Sequence, residues 1–281
     1  MKYPILPVAA SELGADVSGD ASAVADHVAN LDNAGDGCLA FCLASRLDDL
    51  AGSRAAVVLA PAGARDRAGE CGARAVVWVD NPMAVFVDLL ARNGCANGPS
   101  AGSMTVGGWF LADDAEIGPD TEVFPQAAIH DGVVVGAGCR IQSGAVLGAV
   151  GLGYAATDDG YERFPHLGRL VVGDNVDIGA GAVLVRGILQ DTVIGSGTRI
   201  GGQVNIGHNV TVGRNCFISA GAVLAGSAVV EDWAWIAPNA TVLNGVTVGA
   251  GARLAPGAVL SRDAKAGHLY AGNPARVVKK L

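Results

Sequence analysis

From Ile194 to Leu260 an aliphatic residue recurs at every sixth position: Ile194, Ile200, Ile206, Val212, Ile218, Leu224, Val230, Ile236, Val242, Val248, Leu254 and Leu260. A helix of 3.6 residues per turn would carry these side chains around its whole circumference, and a flat alternating strand would not call for Gly, Ala or Ser just after most of them. Short parallel strands, one per hexad, wound into a solenoid with the aliphatic column inside, satisfy the period. The same step runs through Leu111, Ile117, Val123, Ile129, Val135, Ile141 and Leu147, and again through Val172, Ile178 and Leu184. At three hexads per turn these positions predict about seven triangular coils of a parallel β-helix. Two stretches break the step. Between Leu184 and Ile194 it lengthens to ten residues. The stretch Gly148 to Leu170 (GAVGLGYAATDDGYERFPHLGRL) has no aliphatic ladder and is predicted to leave the coil as an external loop over 149–170. Its Tyr154, Tyr161, Phe164, Pro165 and His166 argue for packing against something, with a tolerated surface insertion as the plain alternative.

Residues 1–100 carry a different pattern. Two apolar β-type runs, Ala55 to Ala60 and Ala75 to Val79, are bounded by turn residues, and Pro82 opens a predicted helix with Phe86, Leu89 and Leu90 on one face. This predicts a small α/β domain over 1–100, a linker of small and polar residues from Cys95 to Ser103, the β-helix over 104–265 and a C-terminal tail over 266–281.

Composition narrows the partners. Among 281 residues there are 41 glycines without a Gly-X-Y period, as hexad corners require. A formal charge of −8 argues against a surface that tracks phosphates, so no nucleic-acid partner is expected. The six cysteines lack a CxxC spacing, which predicts reduced thiols and no metal site. With no apolar run of about 18 residues and no leader signature from Met1 to Val8, no membrane span is expected and the location is read as cytoplasmic.

Of five histidines, His208 stands apart. It lies in VNIGHNV, second after the ladder residue Ile206, close to a corner and outward from the filled interior. His130 directly follows Ile129, His166 lies in the loop, His268 in the tail and His27 in the N-terminal domain.

The segments LAFCLASRL and VVWVDNP, the loop GLGYA followed by FPHLGRLVVGDNVDIGAGAVLVRG, and QDTVIGSGTRIGGQVNIGHNVTVG together resemble the UDP-3-O-(3-hydroxyacyl)glucosamine N-acyltransferases of lipid A synthesis. The resemblance covers residues 1 to about 230 and implies a left-handed coil and a homotrimer with sites in the grooves between subunits. It also implies His208 as general base, an acyl carrier protein or CoA thioester as co-substrate with no bound cofactor, and a nucleotide-linked amino sugar as acceptor. The chemistry agrees, because an amine attacking a thioester needs a base active near neutral pH, and imidazole has the right ordinary pKa. The tetrahedral oxyanion needs a donor. Gly226, eighteen residues or one coil beyond His208, offers a backbone N–H with no side chain in the way.

Gln203 and Asn205 are candidates to position the acceptor, and Phe41 matches the first ring of the family's uracil clamp. Tyr154 and His166 become substrate contacts if the loop folds over a neighbouring groove. The sequence also departs from the family. Ala44 and Leu47 stand where the clamp has Asn and Tyr, Gly201, Gly202 and Gln203 replace an Asp-Asn-Gln, Val185 replaces an Asp, and Gly245 replaces a second histidine. A carboxylate that would orient His208 is lost with them, leaving a backbone carbonyl for that task. Trp235 to Leu281, with Gly272 to Ala275 reading Gly-Asn-Pro-Ala, resembles the end of acetyl-CoA-dependent hexapeptide acetyltransferases, where basic residues such as Arg276, Lys279 and Lys280 lie near the coenzyme's phosphates. An acetyltransferase with another acceptor and a non-catalytic solenoid that only binds are the alternatives.

Overall fold

The computed structural model describes residues 2–95 and 101–281. It forms two compact units, Met1–Asn97 with Leu152–Leu167, and Gly98–Gly151 with Gly168–Leu281. Much of the predicted linker, residues 96–100, lies outside the described residues. No helix among the described residues is long and apolar enough to cross a membrane.

The first unit is built on a six-stranded sheet of β1 (Tyr3–Ala9), β2 (Val17–Gly19), β3 (Val24–Val28), β4 (Cys38–Phe41), β5 (Val57–Pro61) and β6 (Ala75–Val79), in the order β1-β3-β4-β5-β6-β2. The four central strands are parallel, and antiparallel β1 and β2 close the edges. Strands β5 and β6 read VVLAP and AVVWV because both faces are covered, which is why alternation is absent from them. After the short helix α1 (Ala10–Leu13), the main helix α2 (Pro82–Arg92) starts where predicted. Pro82 supplies its fixed φ in the first turn, and the Asn81 side chain accepts from the Ala84 N–H at 3.1 Å. The buried stripe of α2 is Phe86, Val87 and Leu90. Leu89, placed on that face by the sequence pattern, is only half-buried, because the stripe is centred toward Val87 and leaves it at the margin.

The predicted external loop is a β-hairpin, Tyr154–Thr157 with Gly160–Arg163, and it belongs to this first unit. Phe164 follows it into the core, with its ring 5.9 Å from that of Phe86 and 6.1 Å from that of Phe41. Asn81 uses both ends of its amide, the oxygen to cap α2 and the Nδ2 to donate to the Ala156 carbonyl at 2.7 Å. Of the aromatic residues that marked the insertion in sequence, Phe164 thus joins the α/β core, while Tyr154 and Tyr161 stay exposed.

The second unit is the predicted β-helix. Three sheets carry it, two of nine strands and one of seven. The first face includes Asn205–Ile206, Val223–Leu224 and Thr241–Val242, the second Thr211–Val212 and Val229–Val230, the third Phe217–Ile218, Trp235–Ile236 and Arg253–Leu254. Strands stack parallel with an eighteen-residue step, so that Ile206 pairs with Leu224 and Leu224 with Val242. The ladder side chains from Ile129 onward are 3% exposed or less, which makes the sixfold period a direct image of the core. Corners need left-handed backbone, and Asn175, Asn209, Asn215 and Asn239 adopt it with φ of 54° to 59°, the conformation asparagine tolerates better than most residues. At the C-terminal end His268–Ala271 joins the third face parallel to Arg253–Leu254, and Arg276–Lys280 turns back antiparallel.

Candidate active site

His208 stands at the corner between the first and second faces, just after Asn205–Ile206. Its Nδ1 lies 2.8 Å from Oδ1 of the next residue, Asn209. That amide is itself held on several sides. Its Nδ2 donates to the Gln190 carbonyl at 3.0 Å, its Oδ1 accepts from the Ile188 N–H at 3.4 Å, and its backbone N–H donates to the buried Thr192 hydroxyl at 2.9 Å. Because a carbonyl oxygen can only accept, Nδ2 must face Gln190 and Oδ1 must face the imidazole. Nδ1 therefore carries the ring proton, and in the neutral ring Nε2 holds the lone pair. The partner of Nδ1 is thus a side-chain amide oxygen. Behind it, the same amide is anchored on the Gln190 carbonyl.

The residues that hold Asn209 come from the ten-residue step between Leu184 and Ile194. That excess chain is not idle. Gly168 N–H donates to the Ile188 carbonyl at 2.8 Å, and Arg169 N–H donates to Asp191 at 2.7 Å. Below them Arg186, 7% exposed, donates from Nε to the Gly168 carbonyl at 2.7 Å and from its guanidinium to the Asp131 carbonyl at 3.0 Å, and forms an ion pair with the Asp131 carboxylate. A buried guanidinium is tolerated only with such partners.

Gly226 lies one coil above His208. A Cβ there would sit 2.6 Å from both Cε1 and Nε2 of His208, so every residue but glycine collides with the imidazole. Ser227 N–H donates to the His208 carbonyl at 2.8 Å, while the Gly226 N–H makes no hydrogen bond among the described residues. One coil further, Asn244 brings its Nδ2 to 3.2 Å of the same Cβ position. Sequence reasoning missed Asn244, although the eighteen-residue step from 208 through 226 leads to it.

The other sequence-predicted residues are dispersed. Asn205 is exposed on the first face in the same coil as His208, whereas Gln203 is at the preceding corner with φ of +57°. Phe41 packs its ring 5.1 Å from Phe86, and Leu47 is buried. Tyr154 is exposed, 6.4 Å from the Tyr161 ring with the Arg163 guanidinium 5.4 Å over it. His166 is wholly buried, with Nδ1 3.2 Å from the Phe164 carbonyl. Arg276 and Lys279 are both exposed but pair with different residues, Ala271 and Leu269. Among the described residues no group of three or more His, Cys, Asp or Glu side chains is arranged to hold a metal ion.

Residues 114–149 and 191–226, both within the β-helix, match the bacterial transferase hexapeptide family (six repeats). Along more of its length the chain is similar to UDP-3-O-acylglucosamine N-acyltransferases. It is 30% identical over 227 residues to that of Pseudomonas aeruginosa and 29% identical over 227 residues to that of Alkalilimnicola ehrlichii, each match covering 68% of this chain and 63% of the relative. With that of Polynucleobacter asymbioticus identity is 39% over 98 residues, or 34% of this chain and 28% of the relative. The chain thus spans less than two thirds of the length of these curated relatives. Among solved structures, the UDP-N-acetylglucosamine acyltransferase of Francisella novicida shares the fold with a TM-score of 0.56 and 24% identity, over 61% of this chain and 62% of that one.

Proposed function

We propose that the protein is an N-acyltransferase that moves an acyl group from a thioester, on acyl carrier protein or CoA, to the amine of a nucleotide-linked 3-O-acylglucosamine in lipid A synthesis. The observation that carries this reading is the clamp on His208, whose Nδ1–H is committed to Asn209 and whose Nε2 faces Gly226. In the proposed reaction the acceptor nitrogen attacks the thioester carbonyl, a C–N bond forms, and Nε2 takes the proton. The oxyanion accepts a hydrogen bond from the Gly226 N–H. The C–S bond then breaks, and the imidazolium returns the proton to the leaving sulfur. Asn244 and Asn205 are candidates for acceptor hydroxyls at the same corner, and a homotrimer in the cytoplasm is the assembly and location that the resemblance implies.

A second reading is an acetyl-CoA-dependent enzyme with a different acceptor. It is favoured by the first unit, where the Phe41 ring is engaged with Phe86 and Phe164 while Ala44 and Leu47 supply neither a second ring nor an amide. The two readings separate in one experiment, thiol release by the purified protein with UDP-3-O-acylglucosamine as acceptor and either 3-hydroxyacyl carrier protein or acetyl-CoA as donor. Turnover with the carrier protein supports the first reading. No turnover in either arm rejects that acceptor and with it the first reading, and a third arm with acetyl-CoA and other amines then tests the second.

A further inference from the structure

The outer surface of the third face changes character along the coil. In its first half the outward residues are ionic and matched one coil apart, with Arg140 2.9 Å from Glu122 and Arg199 3.2 Å from Asp177. In its last coils the pairing register runs Phe217, Trp235, Arg253, Leu269 and Lys279 in one column. Phe217 meets Trp235 edge-on with centroids 5.9 Å apart, and the Arg253 guanidinium lies 5.1 Å over the Trp235 ring. Phe217 is 51% and Trp235 42% exposed, so neither ring is spent on the core. Among the described residues no carboxylate lies within ion-pair distance of Arg253 or Lys279, in contrast to Arg140 and Arg199 below them.

Beside this column a cavity of about 490 Å³ opens along Trp235, Pro238, Pro256 and Leu269, with Arg253 and Lys279 on its border. Its size falls within the roughly 300–1,000 Å³ of small-molecule sites. The lining is mostly apolar, Arg253 and Lys279 bring two cations to it, no Asp or Glu side chain lines it among the described residues, and Leu281, the last residue of the sequence, borders it as well. A guanidinium stacked on an aromatic ring still presents its N–H edge to an anion. We propose that this face binds a single-chain anionic amphiphile, its hydrocarbon lying against Trp235, Pro238, Pro256 and Leu269 and its anionic head held between Arg253 and Lys279. The site is on the third face, not at the corner of the first and second faces where His208 stands, and it does not depend on the acyl-transfer reading.

The test is a calorimetric and fluorescence titration of the full chain with decanoate, octanoate, decanol and inorganic phosphate. Decanoate is expected to bind one site per chain and to quench tryptophan emission. Decanol is expected to bind more weakly by a factor of about three to ten, since two exposed charge contacts contribute at most about fivefold each. Octanoate is expected to lose about fourfold, since a fully covered methylene is worth about fourfold and one lying in an open groove about half of that on a logarithmic scale. The double variant Arg253→Gln, Lys279→Gln should bind decanoate no better than decanol, and Trp235→Ala should weaken both. The proposal is overturned if decanol matches decanoate, if inorganic phosphate displaces decanoate at equal concentration, or if Trp235→Ala leaves both affinities unchanged. It is equally overturned if decanoate fails to bind while Trp235→Arg lowers the oligomeric state in sedimentation velocity, which would give the face to a second copy of the chain.

Discussion

Replacing Asn209 by alanine removes the acceptor that fixes the His208 ring, and with it the amide contacts to Gln190 and Ile188. A neutral hydrogen bond of this kind contributes about 0.5–1.5 kcal/mol. Losing the bias between the two imidazole tautomers at that level moves the ring toward the form with its proton on Nε2, which is not a base at the Gly226 side. Together with the freed χ rotation of the ring, kcat/KM should fall about tenfold, equivalent to about 1.4 kcal/mol of lost transition-state stabilisation. Stability should fall by about 1–3 kcal/mol, because the Gln190 carbonyl loses its partner. Asn209→Asp keeps an acceptor for Nδ1–H while losing the donor to the Gln190 carbonyl as Asn209→Ala does, so comparing the two isolates the contact to the ring. Its carboxylate also accepts from Nδ1–H but favours the imidazolium, so the ring surrenders a bound proton only at higher pH, and the acid limb of the kcat/KM profile should move upward from that of the parent. The assay is thiol release across pH 5–9 for parent and both variants, with thermal unfolding alongside. An Asn209→Ala protein that unfolds near the parent temperature and keeps its full kcat/KM would refute the clamp. So would an Asn209→Asp profile that does not move.

Three further outcomes follow from the same geometry. Gly226→Ala puts a methyl 2.6 Å from the His208 ring, so thiol release should drop at least about 100-fold while circular dichroism shows a folded coil, with overpacking costing about 1–3 kcal/mol by denaturant titration. Asp131→Ala strands the buried Arg186 guanidinium and should cost about 3–5 kcal/mol in the same titration, whereas Asp177→Ala, on an exposed pair, should cost about 1 kcal/mol or less. Burial pushes the Cys42 thiol up to about 11, so mass-resolved alkylation with iodoacetamide should be slow at pH 8 and accelerate as the pH climbs toward that value, the thiolate being the reactive form.

The β-helix was legible because its period is its core. Each sixth residue points into the same column, and nothing else in the chain has to cooperate for the pattern to show. The first unit was legible only where it is buried on both faces. Strands β5 and β6 announced themselves as continuous apolar runs, whereas β1 to β3 are short or half-exposed and gave no comparable signal. At the candidate site, His208 and Gly226 were readable from one motif and one coil length. Asn209 was passed over because the search was for a carboxylate, and its role depends on Gln190 and Thr192, which reach it only through the irregular step after Leu184. The hairpin 154–163 shows the same limit in another form, since its aromatic content signalled packing but not against which unit.

The central claim is that His208 takes the proton of the attacking amine. The most direct measurement is transfer of a labelled 3-hydroxyacyl group from carrier protein to UDP-3-O-acylglucosamine under single-turnover conditions, for the parent and His208→Ala. The account predicts amide product with the parent and a rate lower by at least about 1,000-fold with the variant, general-base loss contributing about 100- to 10,000-fold. Equal rates for the two proteins would contradict it.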